Sequence, residues 1–234
     1  MIHKKIVGII GGMGPTCSAN FFQEFIFQLN SLGIQQDSDF PEIILISLPL
    51  PPTHWNETGF IFKDKINNQP ILDKMQECLD KLYVAGAELI VIPCNTIHYL
   101  IDEFKQMSKV PIISIVDSVS THIKEMEYER VGIFCSESTT KLNIYKDLNP
   151  VLSTDTEQEL STRMISSVMF GKHTETEKNE FRVAVENKYK NDNLDAVILG
   201  CTELPLLLNQ NETFVPLIDT TKILAEKLAS EIIK

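Results

Sequence analysis

Short apolar runs alternate along this chain with longer segments whose apolar positions recur every three or four residues. The runs Lys5 to Ile10, Glu42 to Leu48, Leu89 to Ile92, Val110 to Ile115, Arg130 to Cys135 and Asp195 to Leu199 read as strands. Helical periodicity marks Thr16 to Leu32, where Phe21, Phe22, Phe25, Ile26 and Leu29 form the expected core face, and Pro70 to Ala85, closed by Gly86. It continues in Ile97 to Phe104 and in Asp117 to Glu125, with Asp117 as the expected cap. A helix opens at Ser136 and runs through Leu148, and Thr154 to Lys190 holds two helices broken near Gly171, with charges expected on a solvated face. A last short strand around Phe214 to Pro216 precedes Asp219, the expected cap of a closing helix through Ile233. Strands alternating with helices predict an α/β fold with mainly parallel sheets.

One construction occurs twice. Leu89 to Ile92 leads into Pro93-Cys94-Asn95-Thr96, and Val197-Ile198-Leu199 leads into Gly200-Cys201-Thr202-Glu203. Each time an apolar strand delivers a cysteine and a hydroxyl residue to the start of an expected helix. Ligands bind at the carboxyl ends of strands in open α/β sheets, and a helix amino terminus favours a thiolate over a thiol. The echo implies two similar Rossmann-like domains. The first spans 1–116 plus the closing helix, about 217–234, and carries Cys94; the second spans 117–216 and carries Cys201.

Three other stretches carry candidate chemistry. Gly11-Gly12-Met13-Gly14-Pro15 follows the first strand; it lacks the GxGxxG spacing, which argues against a dinucleotide. Its glycines serve either a tight turn or the lining of a small-molecule site that includes Met13. The stretch Pro49-Leu50-Pro51-Pro52-Thr53-His54-Trp55 makes a stiff loop at a strand end, where His54 and Trp55 are candidate substrate contacts. The turn Ser136-Glu137-Ser138-Thr139-Thr140 suits either a carboxylate or ordinary helix capping.

Composition narrows the field. The 234 residues suffice for one large or two small cores. A formal net charge of -11 argues against nucleic acid and against an anionic membrane surface as partners. The amino-terminal apolar run is too short for a signal peptide or a membrane helix. Five widely spaced cysteines, Cys17, Cys78, Cys94, Cys135 and Cys201, fit a reducing cytoplasm better than a disulfide framework. Cys17, Cys78 and Cys135 lack the paired setting and are expected in the core.

Two thiols facing one carbon suit a particular reaction. A thiolate removes the proton beside a carboxyl group, and a thiol returns one to the opposite face. Fixed donors must stabilise the charge that develops on the carboxylate; Asn95, Thr96, Thr202 and the Ser136–Thr140 turn are the candidates.

Gly11-Gly12-Met13-Gly14-Pro15, Pro93-Cys94-Asn95-Thr96-Ile97-His98 and Gly200-Cys201-Thr202-Glu203 resemble the three signatures of the aspartate/glutamate racemase family, in order and over nearly the whole chain. The resemblance implies two α/β domains related by a pseudo-twofold axis, with the active site in the cleft between them. It implies amino-acid racemisation without a cofactor or metal, with Cys94 and Cys201 as the acid/base pair, and a cytoplasmic homodimer. Asn95, Thr96, Ser138, Thr139 and Thr202 would hold the substrate carboxylate. Aspartate racemases of this family commonly carry an Asp-Arg pair after a proline in the loop following the second strand, and a basic residue on a second-domain helix. Here Pro51-Pro52-Thr53-His54-Trp55 and Glu157-Gln158-Glu159-Leu160 stand in those places. Aspartate therefore does not follow as the substrate.

The alternatives are a related carboxylic-acid decarboxylase or isomerase with a nucleophilic cysteine, and a non-catalytic small-carboxylate binding protein. A zinc site of Cys94, His98 and Cys201 is a weaker rival, because no second cluster has ligand spacing. His98 is expected to support the site as a second-layer group or a cap.

Overall fold

A computed structural model describes residues 4–50, 55–56, 59–60 and 67–233. The chain divides into two compact units, one of Met1–Pro51, Lys65–Ser118 and Thr221–Lys234, the other of Pro52–Asp64 and Val119–Thr220.

The first unit is built on β1 (Val7–Gly11), β2 (Ile43–Ser47), β5 (Leu89–Val91) and β6 (Ile112–Ile113), all parallel in the order β2-β1-β5-β6. Every residue of β1 and β5 is buried, as an unbroken apolar strand covered on both faces must be. On one face α1 (Pro15–Ser31) contributes Phe21, Phe25 and Leu29, and α8 (Thr220–Ile232) contributes Leu224, Ala225, Leu228 and Ala229. On the other, α2 (Gln69–Val84) contributes Met75, Leu79 and Leu82, and α3 (Ile101–Met107) contributes Phe104. Phe22, expected in the core, is instead exposed, because the turn between Phe21 and Phe22 carries its ring off the buried stripe.

The second unit has β7 (Val131–Phe134), β8 (Ala196–Leu199) and β9 (Leu217–Asp219), parallel in the order β7-β8-β9. Its α6 (Asp155–Met169) and α7 (Glu175–Asn191) pack Met164, Val168, Phe181 and Val185 against Phe134 and Leu199. Both open with a complete capping box, Thr154 with Glu157 and Thr174 with Glu177, and Gly171 turns the chain between them at φ +63°. A short antiparallel pair, β3 (Trp55–Asn56) and β4 (Gly59–Phe60), belongs to this unit. The helix α4 (Ile115–Glu125) contains the boundary between the units, after Ser118.

Several expected elements are shifted or shortened. Asp117 is not the cap of α4: Ser114 is, its Oγ accepting the Asp117 N–H at 3.1 Å. The helix opening at Ser136 is only α5 (Glu137–Lys141); Asn143, at φ +52°, ends it. The last strand lies three residues beyond its expected place and ends at Asp219, the residue directly before α8. The charges of α6 and α7 are not all solvated. Lys188 is buried, and its ammonium donates to the Leu152 carbonyl at 2.8 Å, Asp192 at 3.0 Å and Glu157 at 3.2 Å.

Candidate active site

In the first unit the carboxyl ends of the adjacent strands β1 and β5 bring together two of the sequence motifs. The turn after β1 is held by contact with its own helix and the next strand. Gly12 N–H donates to Ser18 Oγ at 2.9 Å, and Ser18 Oγ donates to the Gly14 carbonyl at 2.9 Å. Gly12 sits at φ +95°, and a Cβ there would lie 2.5 Å from the backbone N and O of Leu48. The tight turn alone therefore requires this glycine. Met13 packs, half-buried, on the apolar cluster that contains Cys94, Ile97 and Leu48.

Cys94, Asn95 and Thr96 are buried at the end of β5. The expected α-helix does not begin there. Thr96–Leu100 forms a 3-10 helix, and α3 follows it. His98, also buried, donates from Nδ1 to the Cys94 carbonyl at 2.7 Å and accepts the Ile115 N–H on Nε2 at 3.2 Å. Burial pushes its pKa down to about 4. Both ring nitrogens are thus engaged by backbone, which leaves neither for a metal.

In the second unit the carboxyl ends of β7 and β8 are likewise adjacent. Gly200 lies so close to Cys135 that a Cβ would stand 3.0 Å from the Cys135 Cβ. Ser136 caps α5, its Oγ accepting the Thr139 N–H at 3.2 Å and lying 3.0 Å from Thr139 Oγ1. Ser138 and Thr139 are buried. The turn is tied to α6: Gln158 Nε2 donates to the Cys135 carbonyl at 2.9 Å, and Thr140 Oγ1 donates to Gln158 Oε1 at 3.1 Å. Cys135, buried beside Thr140, has its thiol pKa pushed up to about 11 by burial, as expected of an inert core cysteine.

Cys201 is partly exposed, and its thiol donates to Glu203 Oε2 at 2.9 Å. Thr202 Oγ1 donates to the same oxygen at 3.3 Å. Glu203 is 4% exposed. Here too the expected helix is absent. A single 3-10 turn, Leu204–Leu206, follows, because Pro205 has no N–H to give the Cys201 carbonyl four residues back. The Leu204 N–H takes that carbonyl at 3.1 Å instead. Neither cysteine therefore heads an α-helix; a 3-10 turn follows each.

Glu203 is the partner of the Cys201 thiol that sequence reasoning left without a role. Its signal was present: an acidic residue between a buried strand and the apolar run Leu204-Pro205-Leu206-Leu207-Leu208. His54 lies outside the described residues, and of Trp55 only the backbone, in β3, is described. Among the described residues no group of three or more histidine, cysteine or acidic side chains could hold a metal ion. Among the same residues no helix is long and apolar enough to cross a membrane.

The family model for Asp/Glu/Hydantoin racemases matches residues 10–228. The chain belongs to this family. The broad specificity amino-acid racemase RacX of Bacillus subtilis is 25% identical over 233 residues, covering 96% of this chain and 97% of that protein. The crystal structure of an aspartate racemase homologue from Pyrococcus horikoshii superposes with a TM-score of 0.81 at 26% identity, covering 98% of this chain and 100% of the other. An aspartate racemase from Picrophilus torridus shares the fold at 24% identity, with a TM-score of 0.76 and coverage of 98% and 95%. Membership of the Asp/Glu/Hydantoin racemases supports, at the level of the family, a racemase or isomerase activity that needs no cofactor. The three signature motifs follow β1 and β5 in the first unit and β8 in the second, and the Ser136–Thr140 turn follows β7.

Proposed function

We propose that this chain is a cofactor-independent amino-acid racemase in which Cys94 and Cys201 act as acid and base on opposite faces of the substrate's α-carbon. The observation that carries the reading is the Cys201 thiol donating at 2.9 Å to the buried Glu203 carboxylate. A thiol is a weak base until it loses its proton, and Glu203 is placed to take that proton. The Cys201 thiolate then removes the α-proton, and the Cys94 thiol delivers its proton to the other face. The enantiomer leaves with Cys201 protonated and Cys94 as thiolate; proton exchange with solvent restores the starting state, and the reverse reaction runs the same steps backwards. Asn95, Thr96, Thr202 and the Ser138–Thr139 turn hold the substrate carboxylate and stabilise the charge that develops on it. Met13, His54 and Trp55 contact the rest of the substrate, and the working form is a homodimer.

The arginines bear on the substrate. The chain has three, and each is committed within the second unit: Arg130 to the Asp192 carbonyl, Arg163 to Glu180 and Arg182 to Glu186. A second carboxylate is best met by a bidentate guanidinium. Their commitment supports an amino acid with an uncharged side chain, in keeping with the broad specificity named for the Bacillus subtilis relative.

The test is exchange of the α-proton in deuterium oxide, followed by NMR over a panel of amino acids with chiral analysis of the products. Exchange with inversion is expected for uncharged amino acids, and loss of inversion by roughly a thousandfold or more in Cys94→Ala and in Cys201→Ala. Full two-way turnover by either single variant would remove the two-base mechanism. Exchange confined to aspartate or glutamate would remove the substrate assignment.

A further inference from the structure

The segment after Cys94 is wound more tightly than its sequence predicts, and the His98 ring accounts for it. In an α-helix starting at Cys94, the Cys94 carbonyl would accept the N–H of residue 98, four positions on. Here the His98 N–H goes to the Asn95 carbonyl at 3.1 Å, three positions back. The Cys94 carbonyl accepts the Nδ1–H of the His98 ring at 2.7 Å instead. The side chain has taken the place of the backbone donor.

The second ring nitrogen fixes the protonation state. Nε2 lies 3.2 Å from the Ile115 nitrogen. A backbone N–H only donates, so Nε2 carries no proton; a carbonyl only accepts, so Nδ1 carries one. The two bonds agree on one neutral tautomer, and burial of the ring favours the same neutral form. Ile115 is the first residue of α4, the helix within which the chain passes from the first unit to the second. The ring therefore joins the turn that carries Cys94 to the start of that helix.

We propose that His98 is a positioning residue: its neutral ring holds Cys94 at the head of a 3-10 turn and registers that turn against the start of α4. The inference rests on the reading of Cys94 as an acid/base group. Without the ring, the freed Cys94 carbonyl accepts the backbone N–H of residue 98, the turn rewinds toward an α-helix, and the thiol moves off its mark.

The experiment compares the wild type with His98→Leu and His98→Asn. Leucine removes both ring bonds. The asparagine amide stands near the Nδ1 position and keeps a donor for the Cys94 carbonyl. A small displacement of a reacting group costs rate more than affinity, so His98→Leu is expected to lose roughly a hundredfold in kcat with KM changed less than about threefold. His98→Asn should recover at least about tenfold of that loss. Alkylation by iodoacetamide, read peptide by peptide, should change in rate at Cys94 and not at Cys201. A leucine variant with lowered thermal stability but unchanged kcat per folded molecule and unchanged Cys94 alkylation would overturn the proposal, since that is what a merely structural ring predicts. If His98→Leu does not fold, His98→Asn and the wild type decide. In nitrogen-15 spectra of the wild type, one of the five histidines should show the Nδ1–H tautomer and not titrate between about pH 5 and pH 8. A His98 ring that titrates there, or carries its proton on Nε2, also overturns it. Should the wild type fail to exchange the α-proton of any amino acid, the racemase reading falls, while the alkylation and NMR results still judge His98.

Discussion

Glu203 keeps a carboxylate at the edge of an apolar run, held by the thiol of Cys201 and the hydroxyl of Thr202. A carboxylate that only held the turn in shape could be replaced by an amide, whereas one that receives the Cys201 proton could not. Glu203→Gln preserves size and hydrogen bonding but removes the base. We expect it to lower kcat by roughly a hundredfold or more, the scale of a general base, while an unreactive substrate analogue binds as before. Steady-state kinetics beside a binding titration distinguish the outcomes; a kcat within about twofold of wild type would return Glu203 to a structural role. The residues named by the motifs were legible because cysteine, asparagine and threonine stand out after an apolar strand. The role proposed for Glu203 was not, because its burial beside the Cys201 sulfur is visible only in the folded chain.

At the scale of elements, buried strands were the clearest to read. The β1, β5, β7 and β8 runs are apolar on every residue because sheet neighbours and helices enclose both faces. The helices expected after the two cysteines begin as 3-10 turns for a local reason that differs between them: at Cys94 a ring replaces a backbone donor, and at Cys201 a proline lacks one. Lys188 shows the opposite error, a residue placed on a solvated face that is in fact buried. From α7 it reaches the Leu152 carbonyl, beside the Val151 bridge to β7, and Glu157 at the start of α6. Removing one member of a buried polar cluster leaves the others unsatisfied, so Lys188→Ala is expected to cost about 3 kcal/mol in urea unfolding. A loss below about 1 kcal/mol would mean that the cluster contributes little beyond packing.

The whole molecule carries a pH dependence that His98 dictates. In the unfolded chain its imidazole takes up a proton near pH 6.5, whereas in the folded chain burial delays this to about 4. Between those values the unfolded chain binds more protons. The contribution of the neutral ring is therefore complete above about pH 6.5 and is lost as the pH falls toward 4, at roughly 1.4 kcal/mol per pH unit. Urea unfolding at about pH 7.5 and about pH 5 should show the wild type losing roughly 2 kcal/mol more than His98→Asn does. Equal losses in the two proteins would mean that the ring is not held neutral by the fold.

The sequence by itself determined the α/β class, the parallel sheets and the family, because these depend on periodicities and motifs that recur wherever such strands are buried and such turns are made. It also brought each cysteine to the carboxyl end of a strand. Only the tertiary structure decided what surrounds the two thiols. The Cys201–Glu203 contact and the His98 bond to Cys94 are fixed by side-chain direction, and the His98 bond to Ile115 and the Gln158 tie to the Ser136–Thr140 turn by packing between elements distant along the chain. Those directions depend on which groups lose their water and must find partners inside the protein, which no local pattern of residues specifies.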